Sequence, residues 1–194
     1  NNCVIVVTSD HGIAPIPEQV RKISPRSQAG RISSGEIKKM ATGMLDTVFA
    51  KPPAGKQWLN QVIESDLYIN REVLAAKNIS LEAATAVLND SLAHTGPFAG
   101  AYTRAQLGHE AFPDRMGKQF QNSFNGQRSG DIIFLLRPFH IMSGDSAGTN
   151  HGQPYDYDTH VPMMFLGANF KPGIYRGEAS PVDIAPTLSE ILQI

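Results

Sequence analysis

Apolar residues along the chain fall into two kinds of pattern, and each predicts a different element. Val4-Ile5-Val6-Val7 is an unbroken β-branched run, closed by the turn-prone Ser9-Asp10-His11-Gly12. Short, wholly apolar and bounded by turn residues, it reads as a strand covered on both faces, as in a parallel sheet. Ile132-Ile133-Phe134-Leu135-Leu136 and Val161-Pro162-Met163-Met164-Phe165-Leu166 share that character. Pro162 has no N–H to give a ladder, so it belongs at the start of its strand or on an edge. Near the end, Ile184, Leu188, Ile191 and Leu192 recur at helical spacing behind Pro181, which suits a first turn. They predict a closing amphipathic helix packed on the sheet.

The middle has the other texture. Ile37, Met40, Met44, Leu45 and Val48 repeat with a period near 3.6 behind the candidate caps Ser33 and Ser34. That predicts a helix, with Gly43 as its weak point. Leu81, Ala84, Val87, Leu88 and Leu92 follow Ser80 and predict a second helix, and Leu67-Tyr68-Ile69-Asn70 a short strand between the two. Pro52-Pro53-Ala54-Gly55 reads as a linker. From about Thr95 to Arg128 no period is visible. The whole predicts an α/β fold: part of a mostly parallel sheet flanked by helices, with an α+β insertion. Residues 1–19 and 128–194 would form the core that carries the chemistry, and residues 20–127 an insertion or cap.

Charge and composition narrow the function classes. The 194 residues carry 17 Lys+Arg against 18 Asp+Glu, a formal charge of −1. Near neutrality removes the electrostatic argument for a nucleic-acid polymer or an acidic membrane as main partner. No apolar run approaches the ~20 residues of a membrane span. Cys3 is the one cysteine, which excludes an internal disulfide and any cysteine-based zinc site. Asn1-Asn2-Cys3 leads at once into a strand with no leader segment, so the chain reads as a piece of something longer.

Two constellations carry candidate chemistry. Thr8-Ser9-Asp10-His11-Gly12 stands at the carboxyl end of the first strand, where ligands gather in open α/β sheets. Asp offers a hard anionic oxygen and His a neutral nitrogen, a pair suited to zinc if the chain turns at Gly12. The bland alternative is a strand-end turn with a solvated Asp and an exposed His. Some 140 positions later comes Gly148-Thr149-Asn150-His151-Gly152-Gln153-Pro154-Tyr155-Asp156-Tyr157-Asp158-Thr159-His160. Its histidines are either metal donors or members of a polar loop, and His160 is equally placed to orient a ligand or a loop.

Together these segments resemble the alkaline phosphatase superfamily, closest to the branch of bacterial alkaline phosphatases and type I phosphodiesterases/nucleotide pyrophosphatases. Thr8–Gly12 resembles the strand-end metal motif of that superfamily. His151-Gly152, Tyr155, Tyr157–Pro162 and Phe165-Leu166-Gly167 are similar to its last metal motif and following strand. Arg128-Ser129-Gly130-Asp131-Ile132 resembles the segment entering an intervening strand, and Ser180–Leu188 the C-terminal helix. Residues 20–127 match no motif.

The resemblance implies roles. Asp10 and His11 would ligate one Zn²⁺ and His151 a second, with Asp158 and His160 supporting them. The substrate would be a phosphate ester, a monoester first and a diester or nucleotide pyrophosphate as the alternative. Family members also carry a Thr or Ser nucleophile, an Asp ligand and an Asp-x-x-x-His pair before the Asp-His-Gly motif, and nine residues precede Asp10 here. Thr8 and Ser9 belong to that motif and do not replace the nucleophile. The implied protein is the C-terminal part of a two-zinc hydrolase, without a catalytic nucleophile and inactive alone, with partial zinc occupancy or none. A non-catalytic binding domain with relic ligands is the rival from another class. Export to the periplasm or beyond follows from the resemblance alone. Of the remaining histidines, His94 reads as a partner for a helix C-terminus, His109-Glu110 as solvated surface and His140 as strand-end packing.

Overall fold

The computed structural model describes residues 3–109, 112–167 and 170–194. Asn1, Asn2 and Glu110, named above, lie outside them. The chain runs through β1 (Ile5–Thr8), α1 (Pro17–Ile23), β2 (Gly30–Ile32), α2 (Ser34–Phe49), β3 (Leu59–Ile63), β4 (Asp66–Ile69), α3 (Arg71–Ala76) and α4 (Leu81–Leu92). It continues through β5 (Phe98–Thr103), α5 (Arg104–His109), α6 (Arg115–Ser123), β6 (Ile132–Leu136), β7 (His140–Met142), α7 (Asp156–Thr159), β8 (Met163–Leu166) and α8 (Ile184–Leu192).

Capping chemistry starts the two long helices where the pattern put them. Ser33 accepts from the Glu36 N–H while Glu36 accepts from the Ser33 N–H, a reciprocal box at the head of α2. Ser80 accepts from the Ala83 N–H and opens α4. His94 Nδ1 lies 2.8 Å from the Asp90 carbonyl, which joins it to the last turn of α4 as expected. Pro162 stands one residue ahead of β8, clear of the ladder.

Four strands form a sheet in the order β3-β4-β6-β5, every neighbour antiparallel. β6 is buried along its whole length, and its side chains alternate between two apolar clusters. Ile132, Phe134 and Leu136 join Trp58, Leu67, Leu88 and Phe98 beneath α2, α3 and α4. Ile133 and Leu135 face Leu107 and Phe120 from α5 and α6. β6 thus pairs inside the middle of the chain, although its position in the sequence groups it with the metal motifs. The periodless stretch from Thr95 to Arg128 holds β5, α5 and α6.

Outside that sheet lie two pairs: β2 with β7, parallel, and β1 with β8, antiparallel. The expected parallel sheet is therefore represented within the described residues by the β2–β7 pair. β1 departs from its expected double burial. In the β1–β8 ribbon Ile5 opposes Leu166 and Val7 opposes Met164, and all four are exposed. Among the described residues nothing covers that face. α8 forms as predicted, yet none of its residues is buried, so its apolar side also lacks the expected sheet.

Candidate metal centre

Main-chain bonds bring the two constellations together. The Gly12 N–H donates to the Asp158 carbonyl at 2.7 Å and the Ile13 N–H to the Tyr157 carbonyl at 2.9 Å. The Ala14 N–H donates to the Asn150 carbonyl at 3.1 Å. Position 12 has no room for more than hydrogen, because a Cβ there would overlap the Tyr157 carbonyl. Glycine is required by proximity.

This junction lays the His11 and His151 imidazoles face to face, with ring centroids 3.5 Å apart and planes 12° from parallel. His11 Nδ1 is 2.6 Å from the Gly12 carbonyl. A carbonyl can only accept, so Nδ1 carries a proton, and in the neutral ring Nε2 presents the lone pair. Asp10 Oδ2 lies 3.6 Å from that Nε2. The Asp10 carboxyl is held below the usual carboxylate range, chiefly by its own backbone N–H, then by the neighbouring His11 and its N–H. Ser9 donates to the His11 carbonyl at 2.7 Å and Thr8 to the Ser9 carbonyl at 3.4 Å, so both hydroxyls serve the turn.

Asp10, His11 and His151 line one cavity of about 370 Å³, together with Gln119, Gln153, Asp158 and Ser180. Asp158, 4% exposed, fastens the second loop: its Oδ2 accepts from the Gln153 N–H at 2.8 Å. Gln153 in turn accepts from the Leu136 N–H and donates to Ser65. Tyr155 donates to the Leu136 carbonyl at 2.6 Å, and Tyr157 Oη accepts from the Phe139 N–H at 3.2 Å. Burial pushes both phenols up to about 12. The loop bearing His151 is thereby tied to the end of β6. His160 is not drawn in. It caps the end of α7, exposed, with its N–H on the Asp156 carbonyl and no side-chain hydrogen bond among the described residues. His140, the first residue of β7, is buried opposite Gly30 of β2, away from this cavity.

Gln119 is a wall of the site that the sequence pattern did not single out. It sits on α6, in the stretch without a period, and Asp114 at its N-cap was the available helix signal. Gln119 Oε1 and Asp158 Oδ1 are both buried acceptors with no hydrogen-bond partner. With the Asp10 carboxylate and the two imidazoles they line one cavity with oxygen and nitrogen atoms of the type that zinc takes. The number of donors falls short: among the described residues no group of three or more His, Cys, Asp or Glu side chains converges on one point. Stacking explains why. Lone pairs lie in the ring planes, so two parallel imidazoles present them along separate planes.

No protein-family model matches the chain. Over its full length it is 27% identical to a calcium-transporting ATPase of Myroides odoratus and 23% identical to the alkaline phosphatase PafA of Elizabethkingia meningoseptica, covering 34% of each. It is 27% identical over 98% of its length to the alkaline phosphatase PhoD of Zymomonas mobilis, again covering 34% of that protein. The crystal structure of wild-type PafA superposes with a TM-score of 0.84 at 23% identity, over 98% of this chain and 35% of that one. The chain spans about a third of the length of the relatives it matches. Among its described residues no helix is long and apolar enough to cross a membrane. In sequence similarity and in fold, the chain is an alkaline-phosphatase-like portion.

Proposed function

We propose that this chain is the C-terminal part of a two-zinc phosphohydrolase acting on phosphate monoesters, and that it supplies three of the metal donors. Asp10 and His11 hold one Zn²⁺ and His151 contributes to the other. The observation that carries this reading is the stacked pair of imidazoles: parallel rings cannot converge on one ion, so each serves its own. Asp158 positions the His151 loop through Gln153 and the Gly12 turn through its carbonyl. Bound zinc would supply Lewis-acid stabilisation of charge on a transferring phosphoryl group.

The chain is inactive by itself. The Thr8 hydroxyl donates to the Ser9 carbonyl and the Ser9 hydroxyl to the His11 carbonyl, with Asp10 Oδ1 a further 3.5 Å contact of Ser9, so both hydroxyls hold the turn that carries Asp10 and His11. Substrate binding and the nucleophile belong to the part of the architecture that this chain does not span. The names of the alkaline phosphatase relatives support a monoester substrate, and resemblance to exported members of the branch supports a periplasmic or secreted location. Residues 1–19 and 128–194 would be the part that bears the site, with residues 20–127 as the insertion around which it is built.

Zinc titration of the 194-residue chain, followed by the imidazole proton signals, tests the reading. His11 and His151 signals should shift with added Zn²⁺ in the parent and lose that response in Asp10→Asn and His151→Ala respectively, while His94 stays still. Unmoved His11 and His151 signals at millimolar Zn²⁺ would refute the donor assignment. Hydrolysis of p-nitrophenyl phosphate by the isolated chain, abolished by Asp10→Asn, would refute its inactivity.

A further inference from the structure

Arg31 occupies an unusual position between the two arms that carry the donors. It stands on β2, with Ile32 turned into the core beside it. Its side chain is only 12% exposed. On one side it grips Glu18 through two parallel bonds, Nε to Oε1 at 2.9 Å and Nη2 to Oε2 at 2.7 Å. On the other, Nη2 donates to the Gly148 carbonyl at 2.6 Å and Nη1 to the Ala147 carbonyl at 3.3 Å.

Each end of this bridge leads to a donor. Glu18 is in the first turn of α1, which begins six residues after His11. Ala147 and Gly148 belong to the exposed loop after β7 that runs into Asn150 and His151. Among the described residues, the stretch 144–148 makes no hydrogen bond outside its own loop except through Arg31. Gly148 takes φ +79°, a conformation that turns the loop here and that a side chain would resist. Beyond it, Thr149 donates to the Ala14 carbonyl and Asn150 Nδ2 to the Met142 carbonyl. The guanidinium holds the middle of a loop whose far end is pinned by other groups. Glu18 stays ionised to about pH 2, chiefly through its hydrogen bonds with Arg31, so the pair is intact across the physiological range.

We infer that Arg31 is a positioning residue for the metal centre: by joining Glu18 to the Ala147 and Gly148 carbonyls it sets the loop that lays His151 on His11. The metal consequence rests on the zinc reading above, whereas the effect on the histidine pair does not. A planar fork is needed because one side chain must meet a carboxylate and two carbonyls at once, and a lysine ammonium cannot reproduce that geometry.

The test uses the 194-residue chain with Arg31→Met, Arg31→Lys and Glu18→Gln. Ring-current shifts of the His11 and His151 protons report the stacking, and the Trp58 indole N–H, bonded to Asp46 in the main core, reports the fold. Arg31→Met should move the histidine signals toward unstacked positions while Trp58 stays in place. Lysine should not restore them, and Glu18→Gln should move them part of the way. Where the parent binds Zn²⁺, Arg31→Met should weaken it about tenfold. Displaced rings in a parent that binds no Zn²⁺ would leave Arg31 as the positioning residue and remove the metal reading. If Arg31→Met disturbs Trp58 as well, Glu18→Gln decides. Histidine signals unmoved in both Glu18→Gln and a folded Arg31→Met would overturn the proposal.

Discussion

Replacing Gly12 by alanine asks whether the loops that carry His11 and His151 are held at closest approach by their main chains. A Cβ at position 12 would overlap the Tyr157 carbonyl oxygen and come within 3.3 Å of the Asp158 Cα. Neither group can retreat cheaply, because the Tyr157 carbonyl is bonded to Ile13 N–H and the Asp158 carbonyl to the Gly12 N–H. Relief requires the loops to part and both bonds to open. Two such bonds contribute about 1 kcal/mol each, and forcing in a methyl costs about 1–3 kcal/mol more. The expected loss is about 3–5 kcal/mol, or on the order of 10 °C in Tm for a chain of this size. Gly43→Ala, in the interior of α2 with nothing within 4 Å of the added carbon, is the control. It should stabilise by about 0.5–1 kcal/mol. Thermal melts and imidazole proton spectra of both variants are the assay. A Gly12→Ala chain that melts within about 1 °C of the parent, with its histidine signals unmoved, would show the reasoning to be wrong.

Two further substitutions probe the frame behind the site. Asp131, 4% exposed, accepts from the Ile69 N–H at 2.8 Å and from Arg71 Nη2 at 2.6 Å, and lies 3.4 Å from Arg104 Nε. Asp131→Ala strands a buried N–H and two cations and should cost about 2–4 kcal/mol, allowing for the half-exposed Arg71; urea midpoints measure it, with Asp131→Asn falling between. Burial, then the nearby Arg137 cation, pulls the His140 pKa below its ordinary 6.5. The folded state therefore binds that proton less tightly than the unfolded one. Its stabilisation is full above about pH 6.5 and is lost as pH falls through the lower folded value. Tm should drop between about pH 7.5 and about pH 5 in the parent, and His140→Gln should flatten the drop; equal slopes would contradict the assignment.

What could be read from the residues depended on how local its cause was. Ser33 and Ser80 announced helices because a cap is a one-turn interaction. The run at 132–136 announced a strand buried on both faces, and β6 is one. Strand direction was another matter: an apolar run looks the same whether its neighbours run with it or against it. β5, α5 and α6 went unseen because Gly100, Gly108 and Gly117 interrupt any apolar period, and only Leu107, Gly117 and Phe120 of the two helices are buried. At the site, Asp10, His11 and His151 stood out by type and company. His160, read from the sequence as a supporting residue, stands exposed at the end of α7. Gln119 and Arg31 had none, since their roles arise from which distant carbonyls and side chains the fold sets beside them.

The β1–β8 ribbon also dictates an order of assembly. It joins residues about 160 positions apart, and closing so long a loop costs on the order of 4–5 kcal/mol of chain entropy before any contact is made. β3, β4, α3, α4 and β5 are close neighbours along the chain and meet cheaply, around a core that is already well filled. Contact order thus predicts that the middle folds first and that the ribbon closes last, carrying Asp10 and His11 to His151. What closes last with the least buried surface opens first. Asp10 and His11 follow closely on β1, whose Ile5 and Val7 are exposed, so an ion bound at that pair would act on this chain as a staple on a loose seam.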